Sequence, residues 1–166
     1  MNYFEIFDLP VVYEIDKQVL TDKFILLQKR YHPDHFSVAS EAQKLASSQK
    51  TECINAAYHT LKDPILRAEY FLQLKINLDL EQEKNLQDMP FLMEQIQWHE
   101  RLATAQSLEE LDELTQVLSK KKNHWLTHCE KAIRTGDYQQ ATGYVIRLRF
   151  VRRLLSLIDK KEEEFY

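Results

Sequence analysis

The triplet His32-Pro33-Asp34 sets two polar side chains of different chemistry on either side of a rigid residue. The imidazole of His32 offers a hydrogen-bond donor and an acceptor at one spot. The carboxylate of Asp34 can accept two parallel, charge-assisted hydrogen bonds from an arginine on a partner. Pro33 fixes its own φ and stiffens the projection of its neighbours. Lys29 and Arg30 come just before the triplet and Lys23 lies two helical turns back. A cationic helix end of this kind steers an acidic partner surface and raises its on-rate more than its affinity. This is the chemistry of recognition. No nucleophile stands beside a base, and neither a Walker P-loop nor a G-x-G-x-x-G occurs, so the chain is expected to be no enzyme, with no catalytic residue and no cofactor.

His124, His128 and Cys129 form a second constellation, because i and i+4 positions are neighbours on a helix. Two histidines at that spacing can bind zinc, but the segment lacks the glutamate that metalloproteases place after the first histidine. Cys129 also falls on an apolar stripe. Surface histidines beside a buried thiol, with no metal site, is the preferred reading. A metal-dependent hydrolase is its rival, and stoichiometric zinc in the purified protein would favour that rival. Cys53 is expected as a buried, unreactive thiol on the apolar face of its helix.

The elements that position these residues are helical. The 166 residues are 44% hydrophobic and include only two Gly and four Pro, so turns are few and helices long. Net charge is −4 with both signs interspersed, which argues against a nucleic-acid partner. No apolar stretch approaches the roughly 20 residues of a membrane span, so no membrane partner is expected. The two cysteines form no C-x-x-C pair and suggest no disulfide framework. The N-terminus has no basic segment followed by an apolar run, so a cytoplasmic location is expected.

Helical spacing predicts seven helices. The first covers Tyr3 to Leu9. The second starts near Asp16, carries the stripe Leu20, Phe24, Leu27, Tyr31, and ends at His32, where Pro33 disfavours the α region. A polar stretch from Asp34 to Ser40 leads to the third, from Ser40 to Lys62, with Ala42, Leu45, Ala46, Gln49, Cys53, Ala56, Ala57 and Leu61 along one side. Asp63-Pro64 starts the fourth, which runs to about Lys75. The others lie near 91–105, 107–135 and 138–163, with Ser107 to Glu110 as a capping box and Gly136-Asp137 as the last turn. In the last two, Leu108, Leu111, Thr115, Leu118, Trp125, Cys129 and Ala132 are expected to face Ala141, Val145, Leu148, Leu155 and Ile158.

Around the triplet stand Tyr3-Phe4-Glu5-Ile6-Phe7-Asp8-Leu9-Pro10, then Ile54 to Pro64, then Arg67-Ala68-Glu69-Tyr70. With these signatures in order, residues 1–75 resemble the J-domain family, which stimulates chaperone ATPases of the DnaK class. The resemblance implies that Lys23, Lys29, Arg30, His32, Pro33 and Asp34 bind the chaperone. His35 stands where many members carry Lys or Arg.

The second half carries Asp88 to Ile96, Glu100, and Arg147-Leu148-Arg149-Phe150-Val151. With it, the whole chain resembles the HscB family of co-chaperones, dedicated to iron–sulfur cluster assembly, in its bacterial form. This implies an all-α, L-shaped protein: a J-domain helical hairpin over 1–75, a linker over 76–84, and a C-terminal three-helix scaffold-binding domain over 85–166. It implies two partners, a DnaK/HscA-class chaperone ATPase and an iron–sulfur cluster scaffold protein of the IscU type. The scaffold-binding positions map onto Leu92, Met93, Ile96, Glu100 and Phe150, with Gln97 where an acidic residue is usual. Helical geometry is consistent with this: Phe91, Trp98 and Leu102 share one side of the fifth helix, and Leu92, Met93 and Ile96 another. Phe150 is expected to project away from Val145, Leu148 and Leu155. Two alternatives stay open: both faces of the fifth helix are buried, or the client is a different protein.

Overall fold

The structure is a computed structural model that describes residues 1–36, 38, 40–77 and 88–166. Residues 78–84 of the predicted linker, and Ser37 and Ala39 of the polar stretch, lie outside the described residues. The protein is all-α, and no strand occurs among the described residues. It divides into two compact units, Met1–Phe71 and Leu72–Tyr166.

In the first unit, α1 (Tyr3–Ile6) opens with a reciprocal capping box between Asn2 and Glu5. It buries Phe4, and the Tyr3 ring stacks on Tyr70 at 4.6 Å. The helix ends before the predicted Leu9, because Asp8 turns to φ +52° and the Leu9 N–H donates back to the Phe4 carbonyl at 2.9 Å. Asp16 caps α2 (Lys17–Arg30) by accepting from the Gln18 and Val19 N–H groups. The helix stops at Arg30, two residues before His32, with Tyr31 as its C-cap. Pro33–Phe36 then form one 3-10 turn inside the stretch expected to be irregular.

α3 (Glu41–Lys62) begins with a second capping box, Ser40 with Gln43. Its buried residues are Ser47, Ile54, Ala57 and Leu61, of which Ala57 and Leu61 lie on the predicted side and Ser47 and Ile54 do not. Leu45, Ala46, Cys53 and Ala56 are exposed. The bulky Ile54, Tyr58 and Leu61 decide which side turns inward, and stepping back by helical spacing from Ile54 reaches Thr51 and Ser47. Phe24 of α2 stacks on Tyr58 at 3.9 Å. Thr21 and Tyr58 share a hydrogen bond of 3.1 Å, and the Gln28 side chain donates to Asn55. Asp63 caps α4 (Pro64–Ile76), where Arg67 is buried, donates to the Leu61 carbonyl at 2.8 Å and lies over the Tyr13 ring.

The second unit contains α5 (Met89–Thr104), α6 (Leu108–Arg134) and α7 (Tyr138–Glu162). Asp88 caps α5, so Pro90 falls in the first turn, where its missing N–H costs nothing. Ser107 accepts from the Glu110 N–H, but the Glu110 carboxylate takes the Gln106 N–H at 2.7 Å, so the predicted box is closed one residue early. Between α6 and α7, Gly136 at φ +79° sends its N–H to Ile133, and Asp137 sends its own to Ala132. This paired arrangement ends α6 and reverses the chain.

α6 and α7 pack along their length. Leu111, Leu114, Leu118, Trp125, Cys129 and Ala132 bury one side, and Ala141, Val145, Leu148, Val151, Leu154 and Ile158 the other. Leu108 is exposed and Leu155 only half-buried, so Leu114 and Leu154 occupy the positions that the sequence pattern gave to their neighbours.

Arg147 of α7 pairs with the α5 cap Asp88, and its guanidinium lies over the rings of Phe91, Trp125 and Tyr144. The hydrogen bond from Arg147 holds the Asp88 carboxyl below its usual value of 3.8, against a smaller rise from desolvation. A carboxyl depressed on folding adds stability above its unfolded pKa and loses it as pH falls through the folded one. Stability of the native chain is therefore expected to fall by an extra increment on the acid side of 3.8, and Asp88→Asn to remove that increment. Acid titration of both chains in denaturant checks this, and parallel curves would contradict it.

Candidate partner-binding surfaces

The first surface lies at the C-terminal end of α2. Lys29 and Arg30 occupy the last turn, both exposed, where cations also complement the helix dipole. Lys23 is only half-exposed, and its ammonium donates to the Asp8 carbonyl at 3.1 Å. It is thus tied to the loop after α1, about 10 Å along the helix from Arg30. His32 and Asp34 are exposed, and Pro33 opens the 3-10 turn between them. The Asp34 side chain is 90% exposed.

Contacts that sequence spacing did not reveal hold this loop. The Ser47 hydroxyl donates to the Tyr31 carbonyl at 3.3 Å, and Thr51 reaches the same oxygen at 3.5 Å. The Asp34 N–H donates to Nδ1 of His32 at 3.2 Å. His35 lines an open concavity with Tyr31, Gln43, Ser47 and Lys50. The i, i+4 spacing of Ser47 and Thr51 was the available signal for the first pair.

The second surface is one side of α5. Phe91 and Trp98 are buried. Their rings meet Trp125 of α6 edge-on at 5.6 and 6.3 Å. On the other side Leu92, Met93 and Ile96 are 43%, 51% and 52% exposed, and Glu100 is exposed beside them. Met89, one turn before Met93, is 59% exposed and extends this side. Its i−4 spacing could have placed it there. Phe150 is not brought to the free side. It is half-buried, edge-on to Phe91 at 5.7 Å, stacked with Trp98 at 6.2 Å, and touched by His99. Its ring is thus part of the aromatic cluster, where the sequence pattern had it projecting away.

A Co-chaperone protein HscB homolog from Vibrio cholerae (strain M66-2) is 36% identical over 169 residues, covering 99% of this chain and 98% of the relative. The chain belongs to the HscB co-chaperone family. A second HscB homolog, from Haemophilus influenzae, is also 36% identical, covering 99% of this chain and 97% of that one. Among solved structures, the chaperone HscB from Vibrio cholerae superposes with a TM-score of 0.80 at 34% identity, covering 100% of both chains. Human co-chaperone protein HscB superposes with a TM-score of 0.88 at 26% identity, covering 98% of this chain and 82% of that one. Residues 87–159 match the family described as the HSCB C-terminal oligomerisation domain.

Other reactive side chains of this HscB-type chain are singled out by sequence. His124 and His128 pair with ring centroids 4.4 Å apart, and His128 stacks on Tyr144. Among the described residues no group of three or more His, Cys, Asp or Glu comes together to hold a metal ion. No helix among them is long and apolar enough to cross a membrane. Cys53 is exposed, which overturns its expected burial, because the buried side of α3 runs through Ser47, Ile54, Ala57 and Leu61 and leaves Cys53 outside it. Cys129 is fully buried, and burial pushes its thiol up to about 12. The two thiols should therefore separate cleanly, since the thiolate is the reactive form. Titration with a thiol-reactive disulfide is expected to count one group in the native chain and a second only on unfolding. Two groups titrating together in the native state would contradict this.

Proposed function

We propose that this HscB-type co-chaperone is an adaptor between an IscU-type iron–sulfur cluster scaffold and a DnaK/HscA-class chaperone, whose ATPase it stimulates. A J-domain over about residues 1–75 offers His32, Pro33 and Asp34 to the chaperone, with Lys29 and Arg30 steering the encounter. Lys23 contributes charge from two turns back while tied to Asp8. A domain over about residues 85–166, after a linker near 76–84, holds the scaffold on Leu92, Met93, Ile96 and Glu100. Phe150 supports that face from behind rather than by wide exposure. ATP hydrolysis in the chaperone then traps the scaffold, while this chain supplies no catalytic group.

The observation that carries the reading is the sidedness of α5. Phe91 and Trp98 suffice to anchor the helix, so Leu92, Met93 and Ile96 stay in water at a cost that only a partner relieves. Met93 adds the adaptability common at such sites. Titration calorimetry against a purified IscU-type scaffold tests this. Saturable binding is expected, and its absence would overturn the client and leave a J-domain co-chaperone for another protein.

A second reading is favoured by the family description and by the same exposed face: self-association of the C-terminal domain. Sedimentation across a wide concentration range separates the two. A monomer at concentrations where the scaffold still binds supports the adaptor, and a concentration-independent dimer supports self-association.

A further inference from the structure

An imidazole nitrogen cannot both accept a hydrogen bond and carry a proton. The backbone N–H of Asp34 points at Nδ1 of His32, 3.2 Å away, so Nδ1 bears the lone pair and the neutral ring carries its proton on Nε2. The same Nδ1 lies 3.5 Å from Oδ2 of Asp34. With no proton on Nδ1, that approach is no ion pair, and the carboxylate stays unneutralised. The His32 carbonyl accepts from the His35 N–H at 3.0 Å, so the ring and backbone of one residue brace both ends of the Asp34 peptide. The geometry is that of a side chain closing a turn onto the N–H two residues on.

We propose that His32 is a positioning residue for Asp34: its Nδ1 fixes the turn that aims the carboxylate, and it meets the partner only through the Nε2–H. The inference rests on the chaperone-binding reading above and adds the chemistry of the surface that fits. That surface presents a cation to Asp34 and, next to it, a hydrogen-bond acceptor to His32. A donor at that place finds no lone pair to receive it.

Two substitutions divide the roles. In His32→Asn the amide oxygen stands as many bonds from Cβ as Nδ1 does, so it can take the Asp34 N–H. In His32→Gln the amide reaches the position of Nε2 and leaves that N–H without its acceptor. The first arm uses the full-length chain labelled with nitrogen-15 at about pH 8, where histidine is neutral. The Nε2–H tautomer is expected at His32, and the Nδ1–H tautomer would overturn the proposal. The second arm measures the ATP hydrolysis rate of an HscA-class chaperone with each chain. His32→Asn loses the outward Nε2–H contact, so it is expected to raise the half-saturating concentration by up to about tenfold, the value of one outward hydrogen bond, and to lose several-fold less maximal stimulation than His32→Gln. His32→Gln is expected to lose maximal stimulation by more than about tenfold, the effect of misdirecting a charge-assisted contact. Equal loss in both, or better stimulation by His32→Gln, would overturn the positioning role. The native chain and Asp34→Asn serve as controls. A native chain that does not stimulate, or an Asp34→Asn chain that stimulates equally, would instead remove the chaperone-binding reading and the inference with it.

Discussion

With Asp34 replaced by Asn, the chain is expected to fold normally and to fail to raise the ATP hydrolysis rate of an HscA-class chaperone. The two side chains differ in charge far more than in shape. The Asp34 side chain is 90% exposed, with the His32 ring 3.5 Å from its carboxylate. Folding therefore changes by no more than about 0.5 kcal/mol, as for other surface substitutions. Binding is expected to change much more, because the amide offers a partner cation no bidentate, charge-assisted acceptor. Truncating one member of such a pair costs about 2–5 kcal/mol, or roughly 30- to several-thousandfold. Circular dichroism and single-turnover hydrolysis check the two halves. Full stimulation by a folded Asp34→Asn chain would remove the chaperone contact from this site.

Replacing Leu92, Met93 and Ile96 together by Ala is expected to weaken scaffold binding by about 4 kcal/mol, close to a thousandfold, and to leave the fold unaffected. All three side chains are about half exposed in the free chain. Shortening them removes apolar surface that only a partner buries, at about 25 cal/mol per Å² plus the packing of the anchors. Phe150→Ala behaves differently. Its ring packs against Phe91, Trp98 and His99, so its removal opens a gap in the aromatic cluster and costs about 3 kcal/mol of stability. Calorimetric titration and urea unfolding separate the two kinds of loss. A triple variant that binds as the native chain does would return this side of α5 to an unpartnered surface.

What the sequence disclosed depended on how local each cause was. Caps at Asp16, Asp63, Ser107 and Asp137 are set within four residues, and their side chains accept the N–H groups that the spacing assigns. The buried side of α3 was read too broadly: Ala57 and Leu61 are buried as expected, whereas Ala42, Leu45, Ala46, Gln49, Cys53 and Ala56 are exposed. Ala46 and Cys53 look as apolar as Ala57, and only the neighbouring helix, through the stack of Phe24 on Tyr58, chooses between them. Leu154 and Leu155 pose the same two-way choice on α7, settled by packing against α6.

The candidate surfaces divide in the same way. The exposure of His32, Asp34, Leu92, Met93 and Ile96 matches positions drawn from motif and helical phase. The tether of Lys23 to Asp8 and the packing of Phe150 on Phe91 depend on partners 15 residues or more away, so no local pattern carried them. The bond from the Asp34 N–H to the His32 ring spans only two residues. It was hidden because Asp34 and His32 were both read as facing outward.

The most direct test is the single-turnover ATP hydrolysis rate of a purified HscA-class chaperone with this chain, measured with and without an IscU-type scaffold. The expected result is stimulation by the native chain alone and further stimulation with the scaffold. The Leu92/Met93/Ile96 variant should keep the first and lose the second. A native chain that leaves the rate unchanged, alone and with scaffold, would contradict the adaptor function.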